Sequence, residues 1–316
     1  MRFVCPDGEP QYRPLLDPAL LGRLEAEGHG LVWHDEAPDT TQGWIDRLRE
    51  AEGVLLLWRL PPGVIPASPK LRVISFVGTG IESYVEVDEA RAAGVTLTNV
   101  PQYGANAVAE HAVALLFAVA RRVVERDRAV RGGSWAQDEG VELRGRRLGV
   151  VGAGPTGMRM IELGRALGMT VTCWTRRRTA ERERELGVPL VELDDLFASS
   201  DVVSLHLAAT PETEGIVDRR LLGLLPRGAI VVNTARGTLV DEQALAELLE
   251  AGAVGGAGLD VLAAEPPPPD HPLLSAPRVV VTPHVAFHTA EASRELLRIS
   301  LENLLAFARG APQNVR

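Results

Sequence analysis

At 316 residues the chain is long enough for two domains of ordinary size. Hydrophobic residues make up 46% and charged residues 24%, as in globular proteins, and aromatics only 4%, so the core must be aliphatic. A net charge of −9 argues against wholesale binding to nucleic acid or to an anionic membrane, and an anionic ligand would need local positive charge.

The N-terminal stretch "MRFVCPDGEPQYRP" has no long apolar run behind its basic residue, so no signal peptide is expected. Next come "GVLLLW", "LRVISFVG" and "VTLTNV", apolar runs without alternation that suit strands buried on both faces. The segment 104–131 predicts one long helix, closed by the break "GGSW". Its apolar part, "AVAEHAVALLFAVA", carries Glu110 and His111 and is too short to span a bilayer. Those two are adjacent on the helix and point in different directions, so they read as packing or interface residues.

The strand-like runs "RLGVVG", "TVTCW", "DVVSLHL", "GAIVVN", "VGGAGLD" and "RVVVTPH" follow, separated by helical segments such as "EQALAELLEAG". A second long helix is expected over 289–309. This βαβα rhythm predicts a doubly wound α/β protein with parallel sheets. The expected division is discontinuous: 1–101 with 289–316 as one domain, and 102–288 as the other. Cys5 and Cys173 are too few for a disulfide framework and read as reduced thiols of a cytoplasmic protein.

"RLGVVGAGPTGMRMIELGRALG" sets Gly152, Gly154 and Gly157 between a strand and a helix. Gly152 allows a tight turn, Gly154 a close approach to a pyrophosphate, and Gly157 close packing of helix on strand. The helix mouth, Pro155 and Thr156 included, then offers N–H groups to phosphates. The next strand ends in "TCWTRRR". An acid there would bind a ribose 2′-hydroxyl and repel a 2′-phosphate. Thr175 removes the repulsion, and Arg176 or Arg177 can fork onto a phosphate. The pattern therefore favours NADP(H), with NAD(H) use not excluded. From Arg178 onward the run reads as a solvated helix.

Three later segments, "VVNTARGTLVDEQAL", "GAGLDVLAAEPPPPDHPLL" and "VVVTPHVAFHTAEA", each follow an apolar strand, where ligands bind in open α/β sheets. They carry Arg236, Glu265 and His284. With "FVGTGIESYVEVDEA", "NVPQYGANAVAEHAVALL", the glycine cradle and "SLHLAATPET", they make the chain resemble the D-2-hydroxyacid dehydrogenase family over nearly its full length. The "CWTRRR" element is similar to the NADPH-using glyoxylate/hydroxypyruvate reductase branch. Phe287 stands where many members have a small residue.

The resemblance implies a Rossmann-type nucleotide domain, a flavodoxin-like substrate domain and a cleft between them. It implies reduction of a small 2-keto acid, such as glyoxylate or hydroxypyruvate, to the D-2-hydroxy acid. The family's catalytic triad falls on Arg236, Glu265 and His284. His284 would donate the proton. Glu265 would orient the imidazole and stabilise its charged form, and Arg236 would grip the substrate carboxylate. Backbone N–H groups at Val77, Gly78 and Thr79 would take another carboxylate oxygen, with Thr234 and Asp260 on the cofactor, Asp260 at the nicotinamide carboxamide. A homodimer through the 105–120 helix is also implied, and no metal. His206 and His288 are given structural or peripheral roles. Two other readings share the fold: action on a different oxyanion such as phosphite or a phosphonate-bearing acid, and a nucleotide-sensing corepressor-like binding protein.

Overall fold

The computed structural model describes residues 1–316, apart from the side chain of Ser83, as two compact units. One joins Met1–Tyr103 to His288–Arg316, and the other is Gly104–Phe287.

The first unit has strands β1 (Arg2–Cys5), β2 (Gly30–Trp33), β3 (Gly53–Leu56), β4 (Val73–Phe76) and β5 (Thr96–Thr98). They form one parallel sheet in the order β2-β1-β3-β4-β5, which is the flavodoxin-like order. β3 and β4 are buried at every position because both sheet faces are covered. Trp44, Leu48, Ile74 and Leu97 fill one face. On the other, Phe3, Leu55 and Val73 meet Leu297, Leu301 and Leu304 of the Ala290–Ala308 helix. The spacing of those leucines gives that helix one apolar stripe. The Ser75 hydroxyl donates to the Ser300 carbonyl at 2.9 Å, so the C-terminal helix completes this unit's core.

The second unit has β6 (Arg147–Val151), β7 (Thr170–Trp174), β8 (Val202–Leu205), β9 (Ala229–Asn233), β10 (Val254–Leu259) and β11 (Val279–Val281), all parallel, in the order β11-β10-β9-β8-β6-β7. Beyond β7 the sheet is extended by a single parallel bridge between Cys173 and Leu190. With Leu190 counted, the sheet follows the Rossmann order, and the chain reverses direction of travel between β6 and β8. Leu259 pairs with both Asn233 and Val281, so the carboxyl ends of β9, β10 and β11 lie side by side.

The expected single helix over 104–131 is two helices, Ala105–Ala120 and Val123–Arg131. Arg122 takes the left-handed conformation (φ 53°) after its N–H bonds the Val119 carbonyl, and this closes the first helix. That helix lies directly on β10. A Cβ at Gly258 would stand 2.9 Å from Leu115 Cβ, and one at Gly256 2.5 Å from Val119 Cγ1. Gly256 and Gly258 of "VGGAGL" make room for it, whereas Gly255 lies against the Gly228 carbonyl. Among the described residues no helix is long and apolar enough to cross a membrane.

Candidate active site

The phosphate cradle is built by close backbone approach. Gly152 has φ 102°, and a Cβ there would meet the His206 carbonyl at 2.5 Å. At Gly157 a Cβ would stand 1.9 Å from the Gly152 carbonyl oxygen, so any larger residue would push the turn open. Gly154 caps the Pro155–Ala166 helix and has open space where a side chain would be. Pro155 at the first helical position costs no hydrogen bond and presets φ.

At the carboxyl end of β9 in the same sheet, the buried Thr234 hydroxyl has no hydrogen-bond partner among the described residues. An unpaired buried hydroxyl costs free energy unless a ligand satisfies it. This orphan atom, together with the open space over Gly154, fits a bound dinucleotide.

At the end of β7, Thr175 is half-buried and Arg176 and Arg177 are exposed. Arg176 lends charge to Glu212, whose carboxyl lies below its usual range chiefly through a Thr210 hydrogen bond. Arg178 is committed elsewhere. It pairs with Glu192 at 2.8 Å and lies over the Trp174 ring. Arg182, which the sequence gave no reason to single out, hydrogen-bonds the Ala153 carbonyl inside the cradle and pairs with Glu185.

The three strand-end segments converge around Asp260. Its carboxylate is buried and accepts from the Thr282 hydroxyl (2.5 Å), Val285 N–H (3.0 Å) and Ala286 N–H (2.8 Å). Its own N–H donates to the Asn233 carbonyl, and its carbonyl accepts from His284 N–H at 2.8 Å. His284 is thereby held at φ 54°, a left-handed backbone that costs a non-glycine residue on the order of 1–3 kcal/mol. In that pose His284 Nδ1 meets Glu265 Oε2 at 2.7 Å, with both side chains 38% exposed. Facing a carboxylate, Nδ1 carries a proton and donates it, which leaves Nε2 without a partner among the described residues.

Glu265 Oε1 in turn accepts from Leu262 N–H at 3.1 Å. Glu242 pins the same loop: it accepts from Ala263 N–H at 2.8 Å and pairs with His271 at 3.1 Å. The proline run before His271 gave no sign of this part-buried pair.

Arg236 is exposed, and its guanidinium folds onto the Ala235 carbonyl at 2.6 Å. Among the described residues no hydrogen bond or ion pair joins it to Glu265 or His284. Its backbone is what the structure fixes: the Arg236 carbonyl accepts from Asn233 Nδ2 at 2.9 Å. The next residue, Gly237, is pressed so tightly on the Glu265 loop that a Cβ would meet the Leu262 carbonyl carbon at 1.9 Å. Arg236 and Glu265 therefore stem from adjoining backbone.

In the first unit, Val77 N–H is spent on the Leu56 carbonyl, so it is not free for a ligand as expected. The amides of Gly78 and Thr79 have no acceptor among the described residues. The Thr79 hydroxyl donates to the Val100 carbonyl at 2.9 Å. His288 stacks on Tyr12, and His284 and Phe287 make an edge-on ring contact. His111, read as a packing or interface residue, also makes polar contacts: Nε2 lies 2.9 Å from Thr282 Oγ1 and 3.5 Å from Asp260 Oδ1. Glu110, one residue earlier, is exposed.

A parallel sheet with a glycine-lined phosphate cradle, and a histidine–carboxylate pair on the same sheet's strand ends, is the arrangement of a dinucleotide-dependent oxidoreductase. Residues 113–286 match the model of the D-isomer specific 2-hydroxyacid dehydrogenase NAD-binding domain, and the chain belongs to that family. A glyoxylate reductase of Korarchaeum cryptofilum is 38% identical over 92% of this chain and 90% of its own length. A hydroxypyruvate reductase of Blautia hydrogenotrophica is 33% identical over 92% of this chain and 93% of its own. Among solved structures, an acyclic imino acid reductase in complex with NADPH and D-Arg superposes with a TM-score of 0.83 at 28% identity, covering 100% of each chain. The protein is thus a nicotinamide-dependent oxidoreductase of the 2-hydroxyacid dehydrogenase class.

His206 lines the back of the cradle. Its Nε2 meets Ser204 Oγ at 2.9 Å, while Nδ1 is sealed without a partner among the described residues. Burial pushes its pKa down to about 4 from 6.5, so it is neutral near pH 7. Between those values the unfolded chain holds the extra proton and the native state does not. Stability conferred at neutral pH is therefore lost as pH falls through this window. Thermal unfolding of wild type and His206→Gln between pH 6.5 and 4 should show a shallower decline in the variant. Parallel curves would show that His206 takes up its proton normally in the folded state.

Proposed function

We propose that the protein reduces glyoxylate or hydroxypyruvate to the D-2-hydroxy acid, with NADPH preferred over NADH. The observation that carries the acid–base reading is the 2.7 Å contact between His284 Nδ1 and Glu265, which leaves Nε2 as the uncommitted nitrogen, among the described residues, of a part-exposed ring.

A bound nicotinamide cofactor supplies the hydride. Gly152, Gly154, Pro155, Thr156 and Gly157 would hold its pyrophosphate, Thr234 would give its orphan hydroxyl, and Asp260 would stand at the carboxamide. In this mechanism His284 is the imidazolium. As hydride reaches the carbonyl carbon, negative charge gathers on the carbonyl oxygen, and Nε2–H passes its proton there. The neutral ring keeps its Nδ1–H on Glu265, so it does not rotate away before reprotonation. Arg236 needs only to unfold from the Ala235 carbonyl to fork onto the substrate carboxylate. The Gly78 and Thr79 amides are proposed as donors to that carboxylate.

The cofactor preference rests on the β7 terminus. Thr175 carries no charge to repel a 2′-phosphate. Arg176 and Arg177 stand exposed, while Arg178 and Arg182 are bound to protein acceptors. A structural neighbour holds NADPH. Steady-state kinetics with glyoxylate, hydroxypyruvate and pyruvate against both cofactors should give NADPH an advantage of about tenfold or more in kcat/KM. Replacing Arg176 and Arg177 by alanine should erase it. Equal or better use of NADH would overturn the preference, and turnover of none of the three acids would overturn the substrate assignment.

We also propose a two-fold homodimer. Phe117 on the 105–120 helix is 37% exposed, and Val123, Val130 and Trp135 just beyond it are 52%, 51% and 80% exposed. Apolar side chains gathered in one stretch mark an association surface. Light scattering at micromolar concentration should give twice the 34.0 kDa chain mass, and a Trp135→Glu variant should shift toward monomer. Monomeric wild type would contradict the proposal.

A further inference from the structure

We propose that His111 is a positioning residue for the proton-donating histidine, acting through Thr282 and Asp260. The inference rests on the reading of His284 as the acid. It adds a residue on a different element, the Ala105–Ala120 helix, 171 positions from Thr282 in sequence.

The argument is a count of hydrogens. Thr282 has one O–H, and it is spent on Asp260 Oδ1 at 2.5 Å. Its Oγ1 can then only accept from His111 Nε2, 2.9 Å away, so Nε2 must carry the proton. The chain of donors runs one way, from His111 to Thr282 to Asp260. It fixes which lone pairs of Asp260 stay open, and these take the Val285 and Ala286 N–H groups at 3.0 and 2.8 Å. Those two residues follow His284 directly. With His284 N–H on the Asp260 carbonyl, they clamp the left-handed backbone from both sides. The His284 ring direction depends on that backbone, and so does the 2.7 Å contact with Glu265.

His111 is suited to the role by its surroundings. Its side chain is 24% exposed while the Asp260 carboxylate is fully buried, and its Nε2 lies nearer to Thr282 Oγ1 (2.9 Å) than to Asp260 Oδ1 (3.5 Å), so the hydroxyl is its closer acceptor. Without the imidazole, Thr282 Oγ1 loses its only donor among the described residues. The hydroxyl is then free to turn, and the clamp on residues 284–286 loosens.

Substitution tests the relay by separating hydrogen bonding from bulk. His111→Leu should lower kcat about 10- to 100-fold, the scale of a small misplacement of a reacting group. KM for the keto acid should change little. His111→Gln keeps an N–H near the Nε2 position and should recover most of kcat. Thr282→Val should match His111→Leu, Thr282→Ser should not, and the double variant His111→Leu/Thr282→Val should be no slower than either alone. Fluorescence titration with NADPH should give each variant a Kd within about threefold of wild type, since the relay acts on ring direction.

His284→Asn separates the two ideas. If it leaves kcat intact, the acid assignment itself fails. If it abolishes turnover while His111→Leu and Thr282→Val keep wild-type kcat, the relay alone fails. A failure of His111→Gln to recover what His111→Leu loses would also overturn it. Should His111→Leu not fold, the Thr282→Val and Thr282→Ser pair decides the same question.

Discussion

The arrangement at the strand ends depends on one buried carboxylate. Asp260 leaves β10 between two neighbours, its N–H on the Asn233 carbonyl of β9 and its side chain on the loop that follows β11. A buried charge is tolerated only when it is hydrogen-bonded, and here a hydroxyl and two amides donate to its two oxygens. Three chain segments far apart in sequence thus share one anchor. The left-handed backbone of His284 is the visible cost of that geometry.

Glycine supplies the other half of the construction. Gly237 lets the Arg236 turn rest on the Glu265 loop, and Gly256 and Gly258 let the 105–120 helix settle on β10. The second approach brings His111 within reach of Thr282. The same device makes the phosphate cradle, where Gly157 lies against the Gly152 carbonyl. Close backbone packing therefore places both the cofactor cradle and the proposed acid–base pair on one sheet, and side chains only finish the work.

Much of this was legible in the chain. Unbroken apolar runs named the parallel strands, and fixed glycine spacing named the cradle, because both follow from local geometry. Arg236, Glu265 and His284 were found by motif resemblance, since nothing local says that residues this far apart converge. What stayed hidden is instructive. The break at Arg122 has no marker, because an arginine in a left-handed turn is held by helix-end hydrogen bonds and not by its type. The hydrogen bond of His111 has no marker in the sequence because its partner is 171 residues away. Val77 sat in a recognisable motif, yet whether its amide was free depended on which strand β4 had for a neighbour. The bridge at Leu190 was likewise too short to read.

The central claim is that Glu265 and His284 work as a single acid–base unit, and a double-mutant cycle measures this most directly. Glu265→Gln, His284→Asn and the combination would be compared by kcat/KM for keto-acid reduction. Groups acting as one unit are strongly non-additive. The double variant should therefore fall within about threefold of His284→Asn alone. Losses that multiply across the two substitutions would contradict the account.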